Sequence, residues 1–185
     1  MKAPTLFLLA SLLLATSCGQ DAASKEAEAR VVASIQQTLG NTNTSYVNVV
    51  HSWYQSDVPN LIKLHPKTES IYQTHAAILQ EVATNEPKLV KHALVTADQA
   101  KGIHSMYQKL VDESAANVQE LSALATSKTS MSEAEQLNYV NTLAAKQTHQ
   151  LDLIRYYGKK TAGTLAKKER EETTKRLMMQ EFGHE

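Results

Sequence analysis

Residues 130–154 read SMSEAEQLNYVNTLAAKQTHQLDLI, and this stretch decides the fold class. It opens with two overlapping capping boxes, Ser130 with Glu133 and Ser132 with Glu135, which predict the start of a helix. Beyond them, one side of the helix repeats at alternate spacings of three and four residues. That side carries Leu137, Val140, Ala144, Gln147, Leu151 and Ile154. Such a narrow seam predicts a long helix that packs along another helix.

A second long helix is predicted directly before this one, because the polar run 126–130 has the composition of a loop. Thr96 and Gln99 have the spacing of a capping box, so a kink or a new helix is expected there. The helix should continue to about Ala125. Its stripe is Ile103, Tyr107, Leu110, Ser114, Val118, Leu121 and Leu124. The short loop makes the two helices antiparallel neighbours.

Earlier segments show the same helical periodicity, separated by turn-forming residues. Breaks are expected after residue 39 at Gly40, near Pro59 and Pro66, and at Asn85-Glu-Pro87, with Gly158 and Gly163 as further candidates. Helical pieces are predicted at 31–39, 45–55, 67–84 and 88–95, with a short turn at 60–65. The predicted fold is all-α: an elongated antiparallel bundle of four to five helices.

The first residues have the order of a bacterial lipoprotein signal peptide. Lys2 supplies a positive charge, residues 6–15 are apolar, and small residues precede Cys18. The apolar run is about half of the ~20 residues that span a bilayer. We therefore predict a cleaved signal peptide over residues 1–17, a lipidated Cys18 and tether over 18–30, and a helical domain over 31–185.

Cys18 is the only cysteine, which excludes an internal disulfide and a multi-thiolate metal site. Several acyl chains on this thiol would anchor the chain stably, because each buried methylene contributes ~0.8 kcal/mol. The predicted location is the cell envelope, facing the periplasm. Gly19, rather than an aspartate, follows the cysteine and favours the outer membrane.

Charge and composition limit the classes of partner. The chain has 19 basic and 19 acidic side chains. A balanced charge creates no field that would gather nucleic acid. The expected partners are therefore the membrane, through the lipid anchor, and proteins of an envelope assembly.

The polar residues lack the common sequence motifs of catalytic, metal and cofactor sites. A di-metal bundle site needs Glu-x-x-His pairs on two facing helices, and no histidine from His51 to His149 follows a glutamate by three residues. There is no His-Glu-x-x-His zinc motif, no Gly-x-Ser-x-Gly nucleophile turn and no glycine-rich phosphate loop. His75 lies on an apolar stripe, where a core histidine is expected. We predict no enzyme activity, no cofactor and no metal site.

Aromatic and methionine residues are the candidates for protein contact. In each adjacent ring pair, one ring can pack inside while the other reaches the surface, because neighbouring helical residues point about 100° apart. The Met-rich end after the charged run 167–176 can dock a partner or cover its own bundle. The candidates are Trp53, Tyr54, Tyr156, Tyr157, Met178 and Met179. Ordinary core packing is the alternative for all of them.

The C-terminal third carries a family resemblance. Residues 121–125, a polar loop, the helix start at 130–137, the string Ile154-Arg-Tyr-Tyr157 and the charged tail to Gly183 occur in this order. This order resembles conjugative-transposon TraI proteins, which are similar to TrbJ-like minor-pilin components of type IV secretion systems. The resemblance covers residues 118–183. It implies an exported, all-helical part of a transfer apparatus that acts by protein contacts and has no cofactor.

The expected function is therefore a lipid-anchored structural component of a conjugative transfer apparatus. Two alternatives remain open: an entry-exclusion or other envelope-binding lipoprotein, and a helical bundle that binds a metal or a small ligand.

Overall fold

The computed structural model describes residues 10–40, 43–126 and 131–183, and the side chains of residues 22–40, 43–124 and 131–183. Within those ranges it contains six helices and no strand. The helices are α1 (Ala10–Leu39), α2 (Thr44–Tyr54), α3 (Asn60–Lys63), α4 (Pro66–Val90), α5 (Ala97–Thr126) and α6 (Glu133–Phe182). The all-α bundle is confirmed, with one helix more than predicted if the single turn α3 is counted.

The order of contacts along the helices gives their directions. Glu113 and Asn117 of α5 bond to Gln150 and Gln147 of α6, so the residue numbers run in opposite directions along this pair. The predicted antiparallel arrangement of the last two long helices is confirmed. His75 with Ser114, and Glu86 with His104, show that α4 is also antiparallel to α5. Helices α4 and α6 therefore run in the same direction.

Helix α1 packs against the first half of the bundle. Gly40, at φ +68°, ends α1 as predicted, because glycine adopts this left-handed conformation without steric cost. Helix α2 then runs back along α1, and Glu28 lies against both His51 and Gln55. Arg30 of α1 lies 3.9 Å from Glu69 in the first turn of α4. The N-terminal end of α1 therefore lies at the end of the bundle where α4 and α6 begin.

The tether predicted over residues 18–30 differs from the structure. These residues belong to α1, and Ser24, Ala27 and Glu28 are buried. Small residues at helical spacing let α1 approach its neighbours closely, although their low hydrophobicity gives no apolar stripe in the sequence. Among the described side chains, the packing thus extends back at least to Ser24, ahead of the predicted domain start at Val31. None of the helices in the described ranges combines the length and the apolar character needed to cross a membrane.

Two helices continue through positions where breaks were predicted. Helix α4 runs through Asn85-Glu-Pro87 to Val90, and α6 runs through Gly158 and Gly163 without interruption. Pro87 lies in the last turn of α4 and removes one backbone hydrogen bond, the bond from its position to the carbonyl of Ala83. Leu89 is buried beyond it. Both predictions were wrong because long-range packing outweighs the local tendency to break.

The buried side chains form two apolar clusters along the bundle. The first involves α1 to α6 around Tyr72, and the second joins α4, α5 and α6 around Tyr107. The stripe predicted for α5, from Ile103 to Leu124, is buried throughout. In α6, Val140, Ala144, Gln147 and Ile154 are buried as the seam predicts, while Leu137 and Leu151 are partly buried.

Candidate functional site

The most exposed structured part of the molecule is the second half of α6. Leu165 is its last buried residue. Residues 166–182 continue the helix beyond the bundle, and we call them the α6 extension. Its first turn touches the body through His92, whose Nε2 lies 3.3 Å from Oε1 of Glu169. From residue 171 onward the side chains of the extension are exposed.

Four large apolar side chains stand exposed near the distal end of this extension. We call Leu177, Met178, Met179 and Phe182 the apolar tip. Met179 and Phe182 are 75% and 77% exposed. Since residues three and four apart are neighbours on a helix, Met178, Met179 and Phe182 share one face. A contiguous exposed apolar patch is typical of an interaction site.

An open groove of about 710 Å³ lies on the same side of α6, between its middle and the first half of α5. Its apolar lining includes Val95, Ile103, Met106, Leu153, Tyr156 and Leu165. Lys160 and Lys168 also line it, and no carboxylate does. The Nζ atom of Lys160 lies 5.7 Å from the centre of the Tyr156 ring. We call this feature the α5–α6 groove.

The contact role predicted for Trp53 and Tyr54 is wrong, because both side chains are buried. Trp53 Nε1 donates to the carbonyl oxygen of Leu121 at 3.1 Å, and the Tyr54 hydroxyl donates to that of Lys63 at 3.4 Å. Both rings also pack against the ring of Tyr72 in α4, with ring centres 5.8 and 6.5 Å away. Both rings are therefore inside, where one was expected to face solvent.

The pair Tyr156 and Tyr157 divides as predicted, with one ring inside and one outside. Tyr157 is partly buried and meets Tyr107 edge-on, with ring centres 5.4 Å apart. Tyr156 is 61% exposed and lines the α5–α6 groove. Of the predicted contact residues, the structure thus places Tyr156, Met178 and Met179 on the surface.

Sequence reasoning did not single out Met106 and Phe182 as contact residues, although both are exposed. Phe182 follows Met178 by four residues, so helical spacing could have joined it to the tip. Met106 lies beside the α5 stripe, one residue before Tyr107, and its place on the groove depends on how α6 packs. No local pattern marks it.

A buried polar layer crosses the bundle between the two apolar clusters. Asn117 Nδ2 donates to Gln147 Oε1 at 2.9 Å, and Gln147 Nε2 donates to Ser114 Oγ at 2.6 Å. Ser114 Oγ lies 2.7 Å from His75 Nδ1. The serine hydroxyl therefore donates to a neutral His75 ring. Burial lowers the pKa of His75 to about 4, which agrees with this assignment.

A serine next to a histidine is also the arrangement of an activated nucleophile. Ser114 is fully buried, however, and it lines none of the cavities described for this part of the molecule. A substrate would have no path to its hydroxyl. We assign the pair to the core, as predicted for His75.

The remaining predicted features concern metals and the lipid anchor. Within the described ranges, no three His, Cys, Asp or Glu side chains converge as metal ligands would. His51 and His104 instead pair with Glu28 and Glu86. The side chain of Cys18 lies outside the described side chains, as do residues 1–9 of the predicted signal peptide and Ser130 of the first capping box.

Comparison of the chain with protein-family models, curated proteins and solved structures found no match. The resemblance of residues 118–183 to TraI and TrbJ-like proteins therefore stays a prediction.

Proposed function

We propose that this chain is a lipid-anchored interaction protein of the bacterial envelope that acts without catalysis. The observation that carries the proposal is the placement of two features at opposite ends of an elongated bundle. The N-terminal end of α1, which holds Cys18, lies where α4 and α6 begin. The apolar tip lies beyond the other end of the bundle.

The position of Cys18 suits an anchor. Cys18 precedes Ser24, the first buried residue described, by six residues of helix. At 1.5 Å per residue this separation is about 9 Å. Acyl chains on Cys18 could therefore enter a bilayer while the packed domain remains outside it. Cleavage before Cys18 would remove only residues 10–17 from α1.

The length of α6 gives the anchored protein its reach. A helix of 50 residues is about 75 Å long. With Cys18 in the membrane, α6 would carry the tip and the groove away from the lipid surface. This arrangement fits a part that meets other proteins at a distance from its own membrane.

We further propose that the assembly is a conjugative type IV secretion apparatus facing the periplasm, with the outer membrane as the anchoring membrane. The transfer role rests on the resemblance of residues 118–183, and the membrane on Gly19. An entry-exclusion lipoprotein is the alternative with the same anchor. The two differ in the cell that needs the protein, because an apparatus component acts in the donor and an exclusion protein acts in the recipient.

The anchor is tested with Cys18→Ser. The variant should lose membrane association or remain as an unprocessed precursor, while Ser17→Ala, with the cysteine retained, should fractionate as the wild type does. Mass spectrometry of the wild-type membrane fraction should show a lipidated N-terminal cysteine. A wild type without lipid would refute the anchor.

The transfer role is tested by deleting the gene separately in donor and recipient cells. Transfer should fall when the donor lacks the protein and recover with a plasmid copy. If deletion in the recipient raises transfer instead, the exclusion function replaces the apparatus function. Unchanged transfer in both crosses would refute both.

A small-ligand-binding bundle remains a second candidate because of the α5–α6 groove. Its apolar lining and its two lysines suit an apolar molecule with a negative group. Added long-chain fatty acids should then raise the melting temperature, and Lys160→Glu should abolish the increase. Absence of any shift would remove this candidate.

A further inference from the structure

Three residues of the apolar tip, Met178, Met179 and Phe182, lie on the same face of α6 as the α5–α6 groove. Successive positions along this face follow the helical repeat of 3.6 residues. The face carries Tyr157, Thr164, Lys168, Glu171, Lys175, Met178 and Phe182. Tyr157, Thr164 and Lys168 line the groove, while Met178 and Phe182 belong to the tip. A charged segment therefore separates two apolar areas on a single helix face.

When two copies of this helix lie antiparallel, the basic residues at 167–168 of one copy face the acidic residues at 171–172 of the other. Lys167 and Lys168 come first, and Glu171 and Glu172 follow. Two copies related by a two-fold axis between residues 169 and 170 would place Lys168 of each opposite Glu171 of the other. Two identical ion pairs would then flank the axis, as an isologous interface requires.

The same register places the apolar tip of each copy in the groove of the other. Counting outward from the axis, Phe182 meets the partner's Tyr157, and Met178 meets the partner's Thr161. Both partner positions line the groove. The charges of residues 167–172 and the apolar areas thus agree on one arrangement, in which Lys175 of each copy meets Thr164 of the other.

We infer that this face of α6 binds a second copy of the chain in antiparallel orientation. The paired stretch, residues 157–182, is about 39 Å long, and a helix with its side chains is about 10 Å wide. Each copy would bury on the order of 400 Å² on α6 alone, and the α5 walls of the two grooves bring the total toward the roughly 1,000 Å² of a specific interface. The inference is independent of the lipid anchor and of the envelope function.

The charge pairing is tested by exchanging the charges at residues 168 and 171. The protein is the full chain with Cys18→Ser, and sedimentation equilibrium measures the dissociation constant of the dimer. Lys168→Glu should raise the dimer dissociation constant about tenfold, because two ion pairs become repulsive contacts. Lys168→Glu combined with Glu171→Lys should restore it. Lys159→Glu is the matched control, since this exposed lysine points away from the face; it should leave the constant unchanged.

The apolar docking is tested with Phe182→Ala, which should weaken the dimer at least tenfold by emptying the groove. Leu177→Ala is the matched control, because Leu177 belongs to the tip but lies off the shared face. Its effect should be no more than about twofold.

Direction and register are tested with cysteines in the Cys18→Ser background. A mixture of Thr161→Cys chains and Met178→Cys chains should form a disulfide-linked heterodimer. Either chain alone should not crosslink, because identical positions lie about 25 Å apart. Self-crosslinking of Thr161→Cys would indicate parallel pairing and overturn the inference. A wild-type chain that stays monomeric up to millimolar concentration would also overturn the inference. This holds even if its apolar tip binds lipid vesicles instead.

Discussion

At the residue scale, the buried polar layer is the part of the core that depends most on the exact positions of neighbouring helices. Its four side chains come from three helices, and each relies on a neighbour one helix away. Sliding α6 by one turn would break the bonds of Gln147 to Asn117 and Ser114. Gln147 and Asn117 would then be unpaired, and an unpaired buried polar group costs about 1–3 kcal/mol. The layer therefore selects one register of α4, α5 and α6 among the many that the apolar stripes would tolerate.

The depressed pKa of His75 predicts a dependence of stability on pH. Burial lowers this pKa from 6.5 to about 4. Between these values the unfolded chain binds a proton that the folded chain does not, so stability is complete above about pH 6.5 and falls as the pH is lowered toward 4. The full difference is about 3 kcal/mol. Urea unfolding at pH 7.5, 6, 5 and 4.5 measures it.

His75→Gln is the control for this prediction, because its amide can accept from Ser114 but does not titrate. The variant should show a clearly smaller loss of stability over the same pH range. The other histidines are shared by both proteins and cancel in the difference. Equal slopes for the two proteins would show that His75 does not remain neutral in the core.

A side chain added at Gly158 should clash with a neighbouring helix. A Cβ atom there would lie 2.8 Å from the hydroxyl oxygen of Tyr107, whose ring is buried. Gly158→Ala should lower the free energy of unfolding by about 1–2 kcal/mol, since overpacking outweighs the ~1 kcal/mol gain in helix propensity. Chemical denaturation measures the change.

Gly102 and Gly163 provide matched controls, because a Cβ at either position meets nothing within 4 Å. Alanine there should raise the stability by up to ~1 kcal/mol. Tyr107→Phe should remove most of the penalty of Gly158→Ala, because it deletes the clashing oxygen. A penalty that persists in the double variant would assign the effect to another cause.

At the scale of the elements, helix starts were predicted better than helix ends. The boxes at Thr96 with Gln99 and at Ser132 with Glu135 are both present, because capping depends on residues only three apart. Pro87, Gly158 and Gly163 did not end their helices. Continuation there depends on partners such as Leu89 and Tyr107, which pack against other helices and leave no mark in the local sequence.

The cap at Ser132 predicts the cost of losing a helix start. Ser132 Oγ accepts from the backbone of Glu135 at 3.4 Å, and the carboxylate of Glu135 accepts from the backbone of Ser132 at 2.7 Å. Ser132→Ala should destabilise the protein by about 1 kcal/mol. Ser105→Ala, at an exposed position inside α5, should be neutral or slightly stabilising. Equal thermal shifts for the two variants would argue against the cap.

At the scale of the whole molecule, the sequence indicated the interaction surface only in part. Tyr156 was found as one of two adjacent rings on a helix, and Met178 and Met179 as an apolar end after a charged run. Trp53 and Tyr54 were misassigned, since both rings pack against Tyr72 of α4. That contact joins residues distant in the chain and leaves no local pattern in the sequence. The groove could not be predicted, because it exists only where α5 and α6 are brought together.

The extension and the bundle should respond differently to truncation. A chain that ends at Arg170 keeps every buried side chain of α6, so its melting temperature at low concentration should match that of the full chain. A chain that ends at Lys159 loses Leu165, and should lose about 2 kcal/mol of stability. Differential scanning calorimetry compares them. A large loss in the first truncation would mean that the extension supports the bundle.

Because α6 is uninterrupted, an insertion within it would move every residue that follows. Each residue inserted into a helix advances everything beyond it by 1.5 Å and turns it by 100°. A single insertion between Leu165 and Leu177 would thus swing Met178 and Phe182 around the axis, whereas seven would return them almost to their original azimuth. The direction in which the tip points therefore depends on the number of residues in this segment. Insertions or deletions preserve that direction only when they come in steps of about two turns.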